Sequence, residues 1–247
     1  MTIEKEIPMV VDWLRGMAEA AGCRGLVVGL SGGVDSSTAA ALMKKAFPDN
    51  CLGIILPIHS NTQDQTDALA VAKTFEIPHY ILDVENEHRS ILERSLTSMQ
   101  NMGCEPHVRM TDANLRARLR MSCIYAAANA LEYMVIGTDN AAELYLGYFT
   151  KFGDGGCDIM PLAAFTKGEV RELGSLLGVP QTIIEKPPSA GLWEGQTDEG
   201  ELGISYEVID AYLQGQSVKD EQRALIEKHH KQSAHKRETP AYYKRQP

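Results

Sequence analysis

The segment VVGLSGGVDSS, residues 27 to 37, sets two glycines, an acid and three serines directly behind an apolar run. Glycine turns let main-chain N–H groups converge on an oxyanion, and Ser31, Ser36 and Ser37 bring hydroxyl donors to the same place. A strand that passes through such a turn into a helix adds the positive helix end, so the chemistry on offer is phosphate binding. The loop differs from a Walker A sequence in that no lysine closes it. Asp35 stands inside it, and a carboxylate in a phosphate nest repels the ligand unless a hard cation such as Mg2+ lies between them. For SGG alone, a glycine turn with a serine or aspartate helix cap is the plainer reading.

Other charged groups recur in short clusters. NLRARLRM (114–121) places Arg116 and Arg120 on one helix face and Arg118 on another; solvated arginines are the ordinary reading of such a face. GTDNAAE (137–143) puts Thr138 at the carboxyl end of an apolar run and Glu143 about one helical turn past Asp139, which a simple helix cap also explains. GYFTKFGDGGCD carries Lys151, Asp154 and Asp158 in what is otherwise a glycine-rich turn. Lys167 begins a helix, Ser189 lies in KPPSAGLWEGQTDEGELG with Trp193 as a packing residue, and His235 and Lys236 sit in SAHKRETP near the end of the chain.

Positioning these groups requires a frame. GLVVGL (25–30), CLGIIL (51–56), HYILDV (79–84) and YMVIGT (133–138) are short apolar runs separated by segments of helical character, the pattern of a parallel sheet with crossover helices. The fold class expected is α/β: one doubly wound, Rossmann-like sheet of about five strands in the order 3-2-1-4-5, flanked by helices. In that order the loops after the first and fourth strands meet where the strand order reverses, which would let Asp35 and Glu143 share one metal ion. An N-terminal helix, about 3 to 21, faces the core with Ile7, Val10, Val11, Leu14 and Met17. DSSTAAALMKKAF, TQDQTDALAVAKTF and a long segment from 111 to 133 read as further helices. A final helix pair, about 203 to 214 and 217 to 231, precedes the basic tail.

The 247 residues, 44% hydrophobic and 23% charged, form a single domain, 1–247. A net charge of -9 speaks against nucleic acid as a partner while leaving room for a local basic pocket. No apolar stretch approaches membrane-spanning length, no basic-apolar leader opens the chain, and the five cysteines include no C-x-x-C pair. The expectation is a cytoplasmic protein with reduced thiols, without a membrane partner.

With its preceding strand and following alanine-rich helix, SGGVDSS resembles the pyrophosphate-binding loop of the N-type ATP pyrophosphatases, which cleave ATP between the α and β phosphates to adenylate an acceptor. The downstream clusters, from NLRARLRM to SAHKRETP, are together similar to those of the NAD synthetases, and the resemblance runs from Val27 to Pro240. It implies an adenine nucleotide alpha hydrolase-like fold and a ligase that amidates deamido-NAD to NAD with ammonia, releasing AMP and pyrophosphate. ATP contacts carried over by resemblance are Gly29, Leu30, Ser31, Gly32, Gly33, Val34, Asp35, Ser36, Thr138, Lys167 and Ser189. Deamido-NAD contacts carried over are Arg118, Lys151, Asp154, Asp158, His235 and Lys236, with Asp35 and Glu143 as Mg2+ ligands. Asp35, Glu143 and Lys167 are the groups expected to carry catalysis. Some relatives carry threonine where Ser189 stands, and some carry an added glutaminase domain for which this chain has no room, so free ammonia is the expected nitrogen source. The resemblance also implies a homodimer burying the first helix and the long helix near 112–132, and a tail that orders over the site. Three rivals remain: amidation of a purine nucleotide, which leaves GDGGCD and SAHKRETP without a role; thiolation of tRNA, which lacks paired cysteines and a basic surface; and a non-catalytic ATP sensor.

Overall fold

The computed structural model describes residues 2–189, 196–243 and 245. Four parallel strands, β1 (Gly25–Gly29), β2 (Cys51–Ile55), β3 (His79–Ile81) and β4 (Tyr133–Ile136), form a sheet in the order β3-β2-β1-β4. Val27 pairs with Leu52 on one side and with Val135 on the other, so β1 lies in the interior of the sheet. The expected fifth strand is reduced to one parallel bridge between Ile136 and Ile159. Its neighbourhood explains the loss: the Asp158 side chain accepts the Val135 N–H, and Pro161, two residues past Ile159, has no N–H to extend a ladder.

Side chains alternate across β1, as the pleat requires. Leu26 and Val28 join one core with α1 (Ile3–Ala20), α2 (Val34–Ala46), α3 (Thr62–Thr74) and α7 (Lys167–Leu177). Val27 joins the opposite core, where Ala128 and Ile124 of α5 (Val108–Leu131) pack; α4 (Glu85–Asn101) precedes it. Beyond β4 come α6 (Ala141–Leu146), α8 (Gln181–Ile184), α9 (Asp198–Leu202), α10 (Tyr206–Leu213), α11 (Asp220–Gln232) and α12 (Ala234–Arg237). Leu146, Leu202, Ile204, Ile209 and Ile226 form a smaller core around Tyr206. On α1, Val11, Leu14 and Ala18 are buried, whereas Met17 shares an exposed face with Met9 and Trp13, against the expectation that it faces inward. Met9, Trp13 and Met17 are four residues apart and so stack on one side of the helix. The five cysteines are unpaired, and among the described residues no helix is long and apolar enough to cross a membrane.

The contact between α2 and α7 fixes where the helix starts sit. Alanines 39, 40 and 41 are buried on α2, and Gly174 of α7 lies over Thr38, close enough that an added Cβ would be 2.7 Å from the Thr38 hydroxyl. In an exposed helix Gly→Ala gains about 1 kcal/mol. Here Gly174→Ala is expected to lower the melting temperature, at a cost of about 1–3 kcal/mol from overpacking. Thermal unfolding checks this, with Thr38→Ala in the same chain restoring most of the loss.

Candidate active site

The N-termini of α2, α6 and α7 converge on one ion cluster. Lys167 Nζ lies 2.5 Å from Asp35 Oδ2 and 3.1 Å from Glu143 Oε1, and its side chain is 2% exposed. The other oxygen of each carboxylate is taken by Asn140: its side-chain amide donates to Asp35 Oδ1 at 2.9 Å, and its main-chain N–H donates to Glu143 Oε2 at 3.2 Å. Asn140 Oδ1 accepts from the N–H groups of Ala142 and Glu143, completing a capping box that fixes the first turn of α6. Tyr206 lies beneath. Its hydroxyl donates towards Glu143 Oε1 (3.1 Å) and Asp198 Oδ2 (3.2 Å), and its ring faces the Lys167 ammonium 4.8 Å away.

A lysine as the first residue of a helix opposes the helix dipole. Two acids offset that conflict: Glu169 closes a capping box with Thr166, and Asp210 of α10 accepts the N–H groups of Lys167 (3.1 Å) and Gly168 (2.8 Å). Burial alone would favour loss of the lysine proton, but Asp35 and Glu143 outweigh it and hold the ammonium above its ordinary pKa. Burial pushes Glu143 up, as does Asp35, while Lys167 pulls it down. Asp139, 5% exposed and with Oδ2 unpartnered, is pushed well above the carboxylate range by burial and by the acids around it.

The phosphate-type loop leads from β1 into α2. Gly32 adopts φ +80°, and a Cβ there would meet the Asp64 carbonyl at 2.3 Å, so the turn needs glycine on both counts. Ser31 and Ser36 hydroxyls lie 2.9 Å apart, and those of Ser36 and Ser37 donate to the Gly33 carbonyl at 3.1 and 2.7 Å, bracing the turn from within. Leu30 and Val34 are buried in the adjoining core. Lys186 reaches across to Asp64 (2.7 Å) and Asp67 (2.6 Å) at the start of α3, tying the segment before Ser189 to the same corner. Ser189 donates to the Gln196 carbonyl at 2.8 Å. Thr138 is half-buried just past β4, and Trp193 lies outside the described residues.

The three arginines of α5 go to separate places. Arg116 is buried against Asp112. Arg120 grips the loop after β2, donating to Leu56 O (3.1 Å) and Ser60 Oγ (3.0 Å), and burial pushes its pKa down to about 10. Arg118 is exposed and its guanidinium lies 3.3 Å from the Lys151 carbonyl. Lys151 donates to the main-chain carbonyls of His235 and, at 3.2 Å, Glu238; Lys236 donates to those of Gly147 (2.8 Å) and Phe149 (2.7 Å). The tail therefore folds onto the 147–151 loop and brings Arg118, Lys151, His235 and Lys236 together. The two aspartates of that loop have internal partners: Asp154 accepts from Thr150 N–H at 2.9 Å, and Asp158 accepts from Val135 N–H (2.8 Å) and Tyr125 hydroxyl (2.9 Å). Asp139 lies within electrostatic reach of both groups, Lys167 on one side and Lys236 on the other.

Asn140, Tyr206 and Asp210 do not stand out in the sequence. Asn140 has a local signal, an asparagine three residues before Glu143, but that pattern predicts only a cap. Tyr206 and Asp210 reach the cluster from 63 and 43 residues away along the chain. No spacing rule finds such partners.

A profile of the NAD synthase family matches residues 6–246. An NH(3)-dependent NAD(+) synthetase of Alkaliphilus oremlandii is 51% identical, with 96% of each chain covered. Among solved structures, an NMN synthetase from Francisella tularensis superposes with a TM-score of 0.91 at 38% identity, covering 98% of this chain and 99% of that one. An NAD+ synthetase from Burkholderia pseudomallei superposes with a TM-score of 0.79 at 30% identity, covering 97% and 91%.

The Asp210 cap can be tested directly. Asp210→Ala removes the acceptor of two N–H groups at the start of α7 and is expected to lower stability by about 1–2 kcal/mol. Asp210→Asn, which keeps one acceptor oxygen, should fall between this and the parent in thermal unfolding.

Proposed function

Because the chain belongs to the NAD synthase family, we propose that it is a ligase that amidates deamido-NAD to NAD with ammonia at the expense of ATP. The observation that carries this reading is the Asp35–Lys167–Glu143 cluster beside a glycine turn at the carboxyl edge of the sheet. The reaction runs in two steps. The nicotinate carboxylate oxygen attacks the α-phosphorus of ATP, and the bond to the bridging oxygen breaks, releasing pyrophosphate. Ammonia then attacks the acyl carbon of the mixed anhydride, AMP leaves with the bonding electron pair, and a proton is lost to give the amide.

In this reading the Ser31–Ser37 turn and the start of α2 hold the departing pyrophosphate through N–H groups and hydroxyls, and Lys167 neutralises its growing charge. Thr138 and Ser189 flank the nucleotide, and Arg118, Lys151, His235 and Lys236 hold the phosphates and acid of the acceptor. Asp154 and Asp158 shape the acceptor loop. Asp35 and Glu143 fit Mg2+, because they are hard oxygen donors on adjacent helix starts, and no set of three or more metal-ligating side chains occurs among the described residues. A site with two carboxylates leaves the remaining positions to phosphate oxygens and water, the usual arrangement for Mg2+. When bound, the ion supplies electrostatic stabilisation of the transferring phosphates. No protein nucleophile enters this scheme; catalysis rests on orientation and charge.

We place the enzyme in the cytoplasm as a single domain fed with free ammonia, acting as a homodimer. The exposed Met9–Trp13–Met17 face of α1 and the exposed Val108 and Met110 of α5 support the dimer. Light scattering at micromolar concentration should give twice 27.1 kDa; the mass of one chain would refute it.

A second reading concerns the acceptor alone. A protein named NMN synthetase is among the similar solved structures, which raises nicotinate mononucleotide as a second acceptor, while the 51% identity to an NH(3)-dependent NAD(+) synthetase supports the first. The two acids differ by an adenylyl group and present the same reacting carboxylate. Purified protein with Mg-ATP, ammonium and each acid in turn separates them: NAD formed with equal AMP and pyrophosphate supports the first reading, whereas a higher kcat/KM for the mononucleotide supports the second. ADP as product would overturn both. Asp35→Asn is expected to lower turnover by about 10²–10³-fold while leaving far-UV circular dichroism unchanged.

A further inference from the structure

We propose that Lys167 occupies the metal position in the free enzyme, so that the site accepts its divalent ion only together with the polyphosphate of ATP. The inference rests on the reading of Asp35 and Glu143 as metal ligands. It starts from the four carboxylate oxygens. Asp35 Oδ1 and Glu143 Oε2 accept from Asn140, and Asp35 Oδ2 and Glu143 Oε1 accept from the Lys167 ammonium. The two oxygens that face each other across the cluster are therefore bridged by a cation that belongs to the chain.

The ammonium is held on its remaining side as well. An ammonium has three N–H donors; two meet the carboxylates, and the Tyr206 ring lies 4.8 Å from the nitrogen. With 2% exposure the ammonium is shielded from solvent, and Thr166, Glu169 and Asp210 fix the main chain that carries it. A divalent ion binding the same two oxygens, at about 2.1 Å from each, needs the space that Nζ fills. It would also place three positive charges against two negative ones out of water. Such repulsion is severe where the local dielectric is low.

ATP changes both conditions. Its phosphates give the ammonium a new partner and supply the negative charge that lets lysine and metal coexist. Nζ then moves from the carboxylates towards the phosphate chain as the ion takes its place. When pyrophosphate leaves, the same exchange would run backwards, with the Lys167 ammonium returning to Asp35 and Glu143.

The probe is Mn2+, followed by the electron paramagnetic resonance signal of the free ion. Wild-type protein alone is expected to leave that signal unchanged at millimolar Mn2+, and protein with α,β-methylene ATP to bind one ion per chain beyond what the same concentration of analogue binds without protein. Lys167→Met without nucleotide should bind Mn2+ at least about tenfold more tightly than wild type, because the competing charge is gone. Equal binding by wild type with and without the analogue, or no gain in Lys167→Met, would overturn the proposal. Glu143→Gln with the analogue tests the underlying reading separately: if its Mn2+ affinity matches wild type, the carboxylate is not a ligand. Should Lys167→Met fail to fold, the wild type still decides. The Nζ resonance of 15N-lysine-labelled protein, assigned by its loss in Lys167→Arg, should be insensitive to Mg2+ alone and shift with Mg2+ and the analogue. A shift with Mg2+ alone would refute the idea.

Discussion

A lysine ammonium enclosed by two carboxylates, almost without solvent, constrains everything around it. Either acid alone in that position would carry an uncompensated charge, whose burial costs several kcal/mol. The three charges belong to three helix starts, α2, α6 and α7, so those helix starts must be held in a fixed relation to one another. Packing achieves this at a distance from the charges. Gly174 lets α7 settle on Thr38 of α2, and the capping boxes of α6 and α7 lock the first turns that carry Glu143 and Lys167. The cluster is then a consequence of backbone placement and not of side-chain reach.

The parallel sheet makes that placement available. All four strands deliver their carboxyl ends to one edge, and β1 lies between β2 and β4, so the loops leaving β1 and β4 are neighbours although more than 100 residues separate Asp35 from Asn140. The main-chain N–H groups at the starts of the helices make this edge electropositive. Acids belong there and lysine does not, which is why Lys167 requires Asp210 from α10 to accept its main-chain N–H. The second small core, packed around Tyr206, serves the same end. It carries α10 to the cluster and thereby supplies both Tyr206 and Asp210.

Much of this was legible in the sequence because its signals are local. The four strands, the long α5 and the phosphate-type turn follow from apolar runs, alanine content and glycine placement over windows of about ten residues. Strand order 3-2-1-4 was likewise accessible once β-α alternation was recognised. The fifth strand was not, since Asp158 takes the Val135 N–H with its side chain, and no periodicity encodes that substitution. Met17 was misassigned for a related reason: helical spacing specifies that Met9, Trp13 and Met17 share a face, but not which face meets the core. Within the site, Asp35 was legible as a carboxylate in a phosphate-type turn, whereas Glu143 and Lys167 came from the family resemblance, because a capping glutamate and a helix-start lysine are ordinary by themselves. Asn140, Tyr206 and Asp210 are ordinary until the fold brings them within hydrogen-bond distance.

The cations of the site share a further property. Lys167 rests on Asp35 and Glu143, Lys186 on Asp64 and Asp67, and Lys151 and Lys236 on main-chain carbonyls of the tail and the 147–151 loop. Each is already satisfied by the chain itself. An anionic ligand arriving at such a site gains only the difference between its contacts and those it displaces, which holds affinity well below the sum of the ionic contacts. The same arrangement stabilises the protein, because among the described residues no buried lysine ammonium is left without an acceptor. Under the proposed function, carboxylates released by Lys167 would become available to a metal, and carbonyls released by Lys151 and Lys236 would loosen the tail from the loop. On that proposal, ligand binding and rearrangement of the site would be one exchange of partners, carried out by the same lysines.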